Sequence, residues 1–101
     1  MQFMLDLDAH LIIKKIMNKV KIYTMDYCPY CIRAKSLLER KKINFTEINL
    51  HKEPNKFEKM QKNSNGARTL PQIFVNDKHI GDCDHIHLLD SEGKLDAILK
   101  D

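Results

Sequence analysis

The apolar positions of this chain follow two spacings, which predict an alternation of strands and helices. Short runs rich in β-branched and aromatic residues predict strands at 20–24, 44–49, 70–75 and 78–80. Apolar residues at helical spacing predict helices over 29–42, 54–62 and from 84 onward, the last broken at Gly93. The predicted order is therefore β-α-β-α-β-β-α.

This order constrains how the strands pair. Two strands joined by a helix are expected to lie parallel, and two strands joined by the turn candidate Asn76-Asp77 are expected to form an antiparallel hairpin. We therefore predict an α/β chain with a four-stranded mixed sheet and helices on both faces, which buries the apolar stripes. This is a thioredoxin-like layout.

Residues 1–17 precede the first predicted strand. Leu5, Ala9, Ile12 and Ile16 fall at near-helical spacing, which predicts a helical N-terminal extension ahead of a domain at 18–101. An alternative is that translation starts at Met17, directly before the first strand.

Length and charge narrow the class of protein. The 101 residues suit one domain, and the 17 lysines and arginines against 14 acids are spread along the chain without a basic block. We therefore expect no nucleic-acid binding, and the absence of a long apolar run predicts no membrane span.

Cysteine usage and the N-terminus bear on location. Three cysteines, two of them closely spaced, do not resemble the disulfide framework of a secreted domain. Asp6 and Asp8 interrupt the first apolar stretch, and no arginine precedes Arg33, which argues against signal and transit peptides. A reducing compartment, the cytoplasm, is the expectation.

The pair Cys28 and Cys31 stands directly after the first strand, as Cys28-Pro29-Tyr30-Cys31. Proline at the first helical position loses no needed N–H, so Cys28 falls at the N-cap, where unpaired N–H groups and the helix dipole favour a thiolate. Cys31 lies one turn further along and is close enough for a disulfide. The spacing therefore predicts a redox-active dithiol.

The same Cys-x-x-Cys spacing also occurs in zinc sites. A structural zinc site would need a second pair of ligands, and the candidates Cys83, His85 and His87 do not have the usual ligand spacing. We therefore expect no metal.

Three segments in register resemble the glutaredoxin family: Tyr23-Thr24 with the Cys-Pro-Tyr-Cys motif, Gly66 to Phe74, and Ile80 to Asp84. The resemblance covers residues 18–101. It implies that Cys28 attacks glutathione mixed disulfides and that Cys31 is the resolving thiol, more buried and with a higher pKa.

The resemblance also implies a glutathione site. Pro71 matches the family's cis-proline, which presents the Leu70 backbone to the cysteinyl part of glutathione, while Thr69 supports the loop. Asp84 is expected to bind the glutathione amine as well as cap a helix, and Cys83 to be a packed residue of the same turn. The expected glutathione-binding residues are Tyr30, Arg68, Thr69, Leu70, Pro71, Cys83 and Asp84.

Four positions depart from the family pattern, one of them being His85, which stands in place of the second acid after the cysteine. Met25 replaces a lysine that helps to hold the glycyl carboxylate of glutathione, Glu58 aligns with a glutamine or arginine, and Asp82 replaces the second glycine of a Gly-Gly pair. Each lost charged contact costs about 1–2 kcal/mol, so we predict weaker glutathione binding than is typical of the family.

The resemblance implies a glutathione-dependent thiol–disulfide oxidoreductase that is a monomer. Its expected partners are glutathione as co-substrate, glutathionylated or disulfide-containing proteins such as ribonucleotide reductase, and indirectly the glutathione reductase system. Two alternatives stay open: an iron–sulfur carrier in which Cys28 of two chains and two glutathiones hold a cluster, and a redoxin reduced by a flavin reductase.

Overall fold

The computed structural model describes residues 18–100. The predicted N-terminal helix over residues 1–17 lies outside the described residues. Within 18–100 no helix is long and apolar enough to cross a membrane.

The described chain contains four strands, four α-helices and a 3-10 turn, close to the predicted positions. The strands are β1 Val20–Thr24, β2 Phe45–Asn49, β3 Gln72–Val75 and β4 Lys78–Gly81. The α-helices are α1 Pro29–Arg40, α2 Phe57–Asn63, α3 Cys83–Ser91 and α4 Leu95–Lys100, and the 3-10 turn Pro54–Lys56 precedes α2. The predicted C-terminal helix is thus two helices, separated at Gly93 by a residue with φ of 73°.

The sheet is mixed and has the order β2-β1-β3-β4. Strand β1 pairs parallel with β2 and antiparallel with β3, while β3 and β4 form an antiparallel hairpin. Asn76 and Asp77 form its turn with φ of 51° and 67°, values that asparagine and aspartate tolerate well. The predicted thioredoxin-like strand pairing is confirmed.

The two faces of the sheet are covered by different helices. On one face β1 and β3 pack against α1, α3 and α4, and Leu38 and Ile86 are fully buried there. On the other face Tyr23, Ile48 and Phe74 pack against Met60 of α2. Strand β1 lies between two partner strands and contributes side chains to both apolar cores. The close packing around β1 therefore fixes the position of the loop that follows it.

Candidate active site

Helix α1 begins immediately after Cys28, which is its N-cap residue. The Sγ of Cys28 accepts a hydrogen bond from the backbone N–H of Cys31 at 3.1 Å. Pro29 occupies the first helical position, where no N–H is needed. This is the local arrangement predicted from the sequence, and it places the Cys28 sulfur among unpaired N–H groups at the positive end of the helix.

Cys31 is the more deeply buried of the two thiols, with 2 % of its surface exposed against 5 % for Cys28. Burial, together with a hydrogen bond to Cys28, raises the pKa of the Cys31 thiol to about 12. The predicted difference in burial and the predicted high pKa of Cys31 therefore both agree with the structure. Neither cysteine is in a disulfide.

The loop before β3 faces the dithiol from the opposite side. The Leu70–Pro71 peptide bond is cis, as predicted, and the Cys28 thiol donates to the Leu70 carbonyl at 3.8 Å. The Gln72 side chain donates to the carbonyl and hydroxyl oxygens of Thr69, at 3.0 and 3.3 Å. These bonds support the loop that carries Leu70.

A third wall comes from the turn between β4 and α3, where the structure corrects one prediction. Asp82, not Asp84, is the N-cap of α3, because its Oδ1 accepts from the His85 N–H at 2.9 Å. Asp84 is exposed in the first turn of α3, its side chain free of the capping role. Cys83 is 2 % exposed, and burial raises its pKa, so it is a packed residue as expected.

The start of α1, the loop before β3 and the turn between β4 and α3 together enclose a groove of about 440 Å³. Its lining consists of Met25, Tyr30, Arg68, Thr69, Leu70, Pro71, Asp82, Cys83 and Asp84. All seven residues that the sequence predicts to bind glutathione are therefore brought to one groove beside Cys28. Asp82 was not among those seven, although its position just before a predicted helix is a usual signal for a capping aspartate.

The positions that depart from the family pattern do not all line the groove. Met25 lines the groove with 40 % of its surface exposed. Glu58 lies on α2 and is not among the lining residues. The lining carries one cation, Arg68, and two carboxylates, Asp82 and Asp84. A lysine at position 25 would have added a second positive group to this lining.

Exposed aromatic and apolar side chains flank the two cysteines along the chain. Tyr27 is 98 % exposed with φ of 58°, while Tyr30 and Ile32 are about half exposed. The guanidinium carbon of Arg33 lies 5.8 Å from the centre of the Tyr30 ring, an arrangement that orients the ring.

A polar cluster anchors the loop between β1 and Cys28. Asn49 donates to Asp26 at 2.9 Å, and the Asp26 N–H donates to Nδ1 of His51 at 3.2 Å. The bond from Asn49 contributes most to lowering the pKa of Asp26. This cluster ties the loop to the end of β2.

One network near the dithiol was not predicted. Thr24, at the end of β1, donates to Glu47 of β2 at 2.7 Å, and Glu47 pairs with Lys35 of α1 at 3.1 Å. Burial acts to raise the pKa of Glu47, but the bonds from Thr24 and Lys35 lower it overall. No local sequence pattern marks this network, because its three members lie on separate elements.

The residues weighed as zinc ligands do not come together. Within residues 18–100 no group of three histidine, cysteine or acidic side chains is placed to hold a metal ion. Cys83 is buried, His85 is exposed, and Nε2 of His87 is buried without a hydrogen-bond partner.

Comparison with known proteins shows the family of this chain. The glutaredoxin family model matches residues 20–80. Glutaredoxin 3 of Escherichia coli is 48 % identical over 84 residues, which are 83 % of this chain and 100 % of that protein.

Two solved structures are also similar. The glutaredoxin of Brucella melitensis, solved in solution, has a TM-score of 0.72 at 48 % identity and covers 83 % of this chain and 90 % of its own. A crystal structure of a buckwheat glutaredoxin–glutathione complex has a TM-score of 0.73 at 27 % identity, covering 92 % of this chain and 84 % of that one. The chain therefore belongs to the glutaredoxin family and is a thiol–disulfide oxidoreductase.

Proposed function

We propose that this protein uses glutathione to reduce glutathione mixed disulfides and protein disulfides, with Cys28 as the nucleophile and Cys31 as the resolving thiol. The observation that carries the proposal is the groove beside Cys28, which gathers seven residues expected at a glutathione site. The likeness to a buckwheat glutaredoxin crystallised with glutathione supports the same co-substrate.

Reduction of a glutathione mixed disulfide needs only Cys28. Its thiolate attacks the glutathione sulfur, the disulfide breaks, and the substrate thiolate leaves and takes a proton from solvent. A second glutathione, as thiolate, attacks the glutathione sulfur now bound to Cys28, releasing glutathione disulfide and restoring the Cys28 thiolate. The N–H of Cys31, 3.1 Å from the Cys28 sulfur, stabilises negative charge there.

Reduction of a protein disulfide adds a step at Cys31. After Cys28 forms a mixed disulfide with the substrate, Cys31 attacks the Cys28 sulfur and releases the second substrate thiol. Burial and a pKa of about 12 keep Cys31 protonated until that step. Two glutathiones then reduce the Cys28–Cys31 disulfide.

The groove has polar groups suited to each end of a short peptide with a free amine and carboxylates. Asp84 offers a carboxylate to an ammonium group, and Arg68 offers a guanidinium to a carboxylate. The backbone of Leu70, next to the cis-proline, faces the Cys28 sulfur and can pair with the central cysteinyl unit. Met25 contributes no charge, which supports weaker binding than a lysine there would give.

The wider setting is also part of the proposal. We infer a cytoplasmic monomer whose oxidised glutathione is recycled by glutathione reductase and whose protein substrates include disulfide-containing enzymes such as ribonucleotide reductase. The exposed side chains of Tyr27, Tyr30 and Ile32, which flank the two cysteines along the chain, offer apolar contacts for such substrates.

The test is the rate of mixed-disulfide reduction with glutathione and glutathione reductase, for wild type, Cys28→Ser and Cys31→Ser. We expect Cys28→Ser to be inactive and Cys31→Ser to keep activity on the small mixed disulfide while losing it on a protein disulfide. A wild-type protein that is inactive with glutathione but active with a flavin-dependent reductase would overturn the proposal.

A further inference from the structure

Three polar side chains form a chain of contacts from the core to the surface next to the dithiol. The Thr24 hydroxyl donates to Oε2 of Glu47 at 2.7 Å, and Nζ of Lys35 lies 3.2 and 3.1 Å from the two Glu47 oxygens. Thr24 is fully buried, while the side chains of Lys35 and Glu47 are 29 % and 32 % exposed. The ion pair is therefore shielded on one side by the protein.

Lys35, at the surface end of this network, lies one helical turn after Cys31. Lys35 follows Cys31 by four residues on α1, so the two side chains share one face of the helix. At the other end, Met25 follows Thr24 directly and lines the groove next to the dithiol. The positive charge of Lys35 acts to lower the pKa of Cys31, against the larger raising effects of burial and of Cys28.

The network lies outside the glutathione groove. None of its three members lines that groove. Strands β1 and β2, which carry Thr24 and Glu47, are already joined by parallel pairing over five residues each. An ion pair whose side chains are about one-third exposed adds little stability of its own. Its placement beside Cys31 therefore points to an electrostatic effect on the thiol.

We propose that Lys35 is a positioning residue for the step in which Cys31 resolves a protein mixed disulfide. Glu47 partly neutralises the positive charge of Lys35 and so weakens its effect on Cys31. The inference rests on the proposed function only in assigning that step to Cys31.

Cys31 gives its proton to solvent, and its thiolate attacks the Cys28 sulfur. The Cys28–Cys31 bond forms as the bond to the substrate sulfur breaks, and the electron pair leaves on the substrate thiolate, which solvent protonates. Cys31 is oxidised and the substrate cysteine is reduced. In the mixed disulfide Cys28 carries no charge, so a Cys28 thiolate no longer opposes the effect of Lys35 on Cys31.

The proposal predicts effects of opposite sign for the two partners of one ion pair. Lys35→Gln removes the cation and reduces the Cys31 thiolate fraction. Glu47→Gln removes the carboxylate that partly neutralises Lys35 and increases that fraction. An ion pair that only braced α1 against β2 would make both substitutions act in the same direction.

The experiment follows alkylation of Cys31 by iodoacetamide in a Cys28→Ser background, read by mass spectrometry at a fixed, mildly alkaline pH. We expect Lys35→Gln to slow alkylation about threefold to tenfold, Glu47→Gln to speed it, and Lys35→Arg to restore the original rate, since one pKa unit changes the thiolate fraction about tenfold. The matched control is Lys21→Gln, which breaks the Lys21–Asp77 pair near the start of β1.

A second readout uses the native dithiol. Lys35→Gln is expected to slow reduction of a protein disulfide by a similar factor, with the loss recovered at higher pH. The Cys28-dependent reduction of a small mixed disulfide serves as the reference rate for each variant. Losses of equal size in both assays, or alkylation rates that fall in both Lys35→Gln and Glu47→Gln, overturn the proposal.

The alkylation assay needs neither glutathione nor a protein substrate. A wild-type protein that fails to use glutathione would therefore overturn the proposed function while leaving the effect of Lys35 on Cys31 measurable.

Discussion

The sulfur of Cys28 caps helix α1 by accepting the N–H of Cys31 at 3.1 Å. One atom thus serves both as the reacting sulfur and as the acceptor that satisfies a helix-terminal donor. Serine caps helices well and alanine does not. Substitutions at position 28 can therefore separate the chemical role from the structural one.

We predict that Cys28→Ser and Cys28→Ala both abolish mixed-disulfide reduction but differ in stability. Cys28→Ser should stay near the wild type, while Cys28→Ala should lose about 1 kcal/mol of unfolding free energy with its cap. Urea unfolding under reducing conditions measures this difference. Equal stability of the two variants would show that the cap contributes nothing.

The raised pKa of Cys31 predicts a pH dependence of stability. Folding raises this pKa from 9.0 to about 12, so the unfolded chain loses the proton first as pH rises. The protonated Cys31 thiol makes its full contribution to the unfolding free energy below about pH 9. That contribution is lost between there and pH 12, at no more than about 1.4 kcal/mol per pH unit.

Cys31→Ala lacks this contribution. The unfolding free energies of the reduced wild type and of Cys31→Ala, measured by denaturant at increasing alkaline pH, should converge. Curves that stay parallel across the alkaline range would contradict the assignment of a raised pKa to Cys31.

Met25→Lys should strengthen glutathione binding. Met25 lines the groove, and a lysine there adds a charge-assisted contact to a carboxylate of about 1–2 kcal/mol, close to a tenfold lower Michaelis constant for glutathione. Ile32→Lys is the matched control, because Ile32 is exposed on α1 but does not line the groove. An unchanged constant, or an equal gain in both variants, would rule out a specific contact at position 25.

Asp82 and Asp84 should respond differently to substitution. Asp82→Ala removes the α3 cap and should lower the unfolding free energy by about 1 kcal/mol. Asp84→Asn leaves that cap in place and should raise the Michaelis constant for glutathione at unchanged melting temperature. Thermal unfolding and steady-state kinetics on both variants decide the matter, and a stability loss confined to Asp84→Asn would reverse the assignment.

Short-range features of this chain could be predicted from sequence because neighbouring residues determine them. The Asn76-Asp77 turn and the start of α1 at Pro29 depend on local backbone preferences, and both were located correctly. The division of the C-terminal helix at Gly93 was visible as a break in spacing.

Features that depend on the folded path of the backbone, or on contacts between distant parts of the sequence, were harder to predict. Asp82 and Asp84 are both of the residue type that caps helices, and only the backbone path after Gly81, with φ of 146°, selects Asp82. The Thr24–Glu47–Lys35 network joins three separate elements, so no local pattern marks it. Its members became recognisable only once the pairing of β1 with β2 was known.

The position of Cys83 has a consequence for how this chain oxidises. Cys28, Cys31 and Cys83 could in principle form any of three intramolecular pairs. Cys83 is as deeply buried as Cys31, at 2 % exposed, but it begins α3, whereas Cys31 lies in the first turn of α1 with its N–H 3.1 Å from the Cys28 sulfur. Oxidation is thereby directed to a single end product, the Cys28–Cys31 disulfide, so each passage through the oxidised state returns the same reducible form rather than a mixture of isomers.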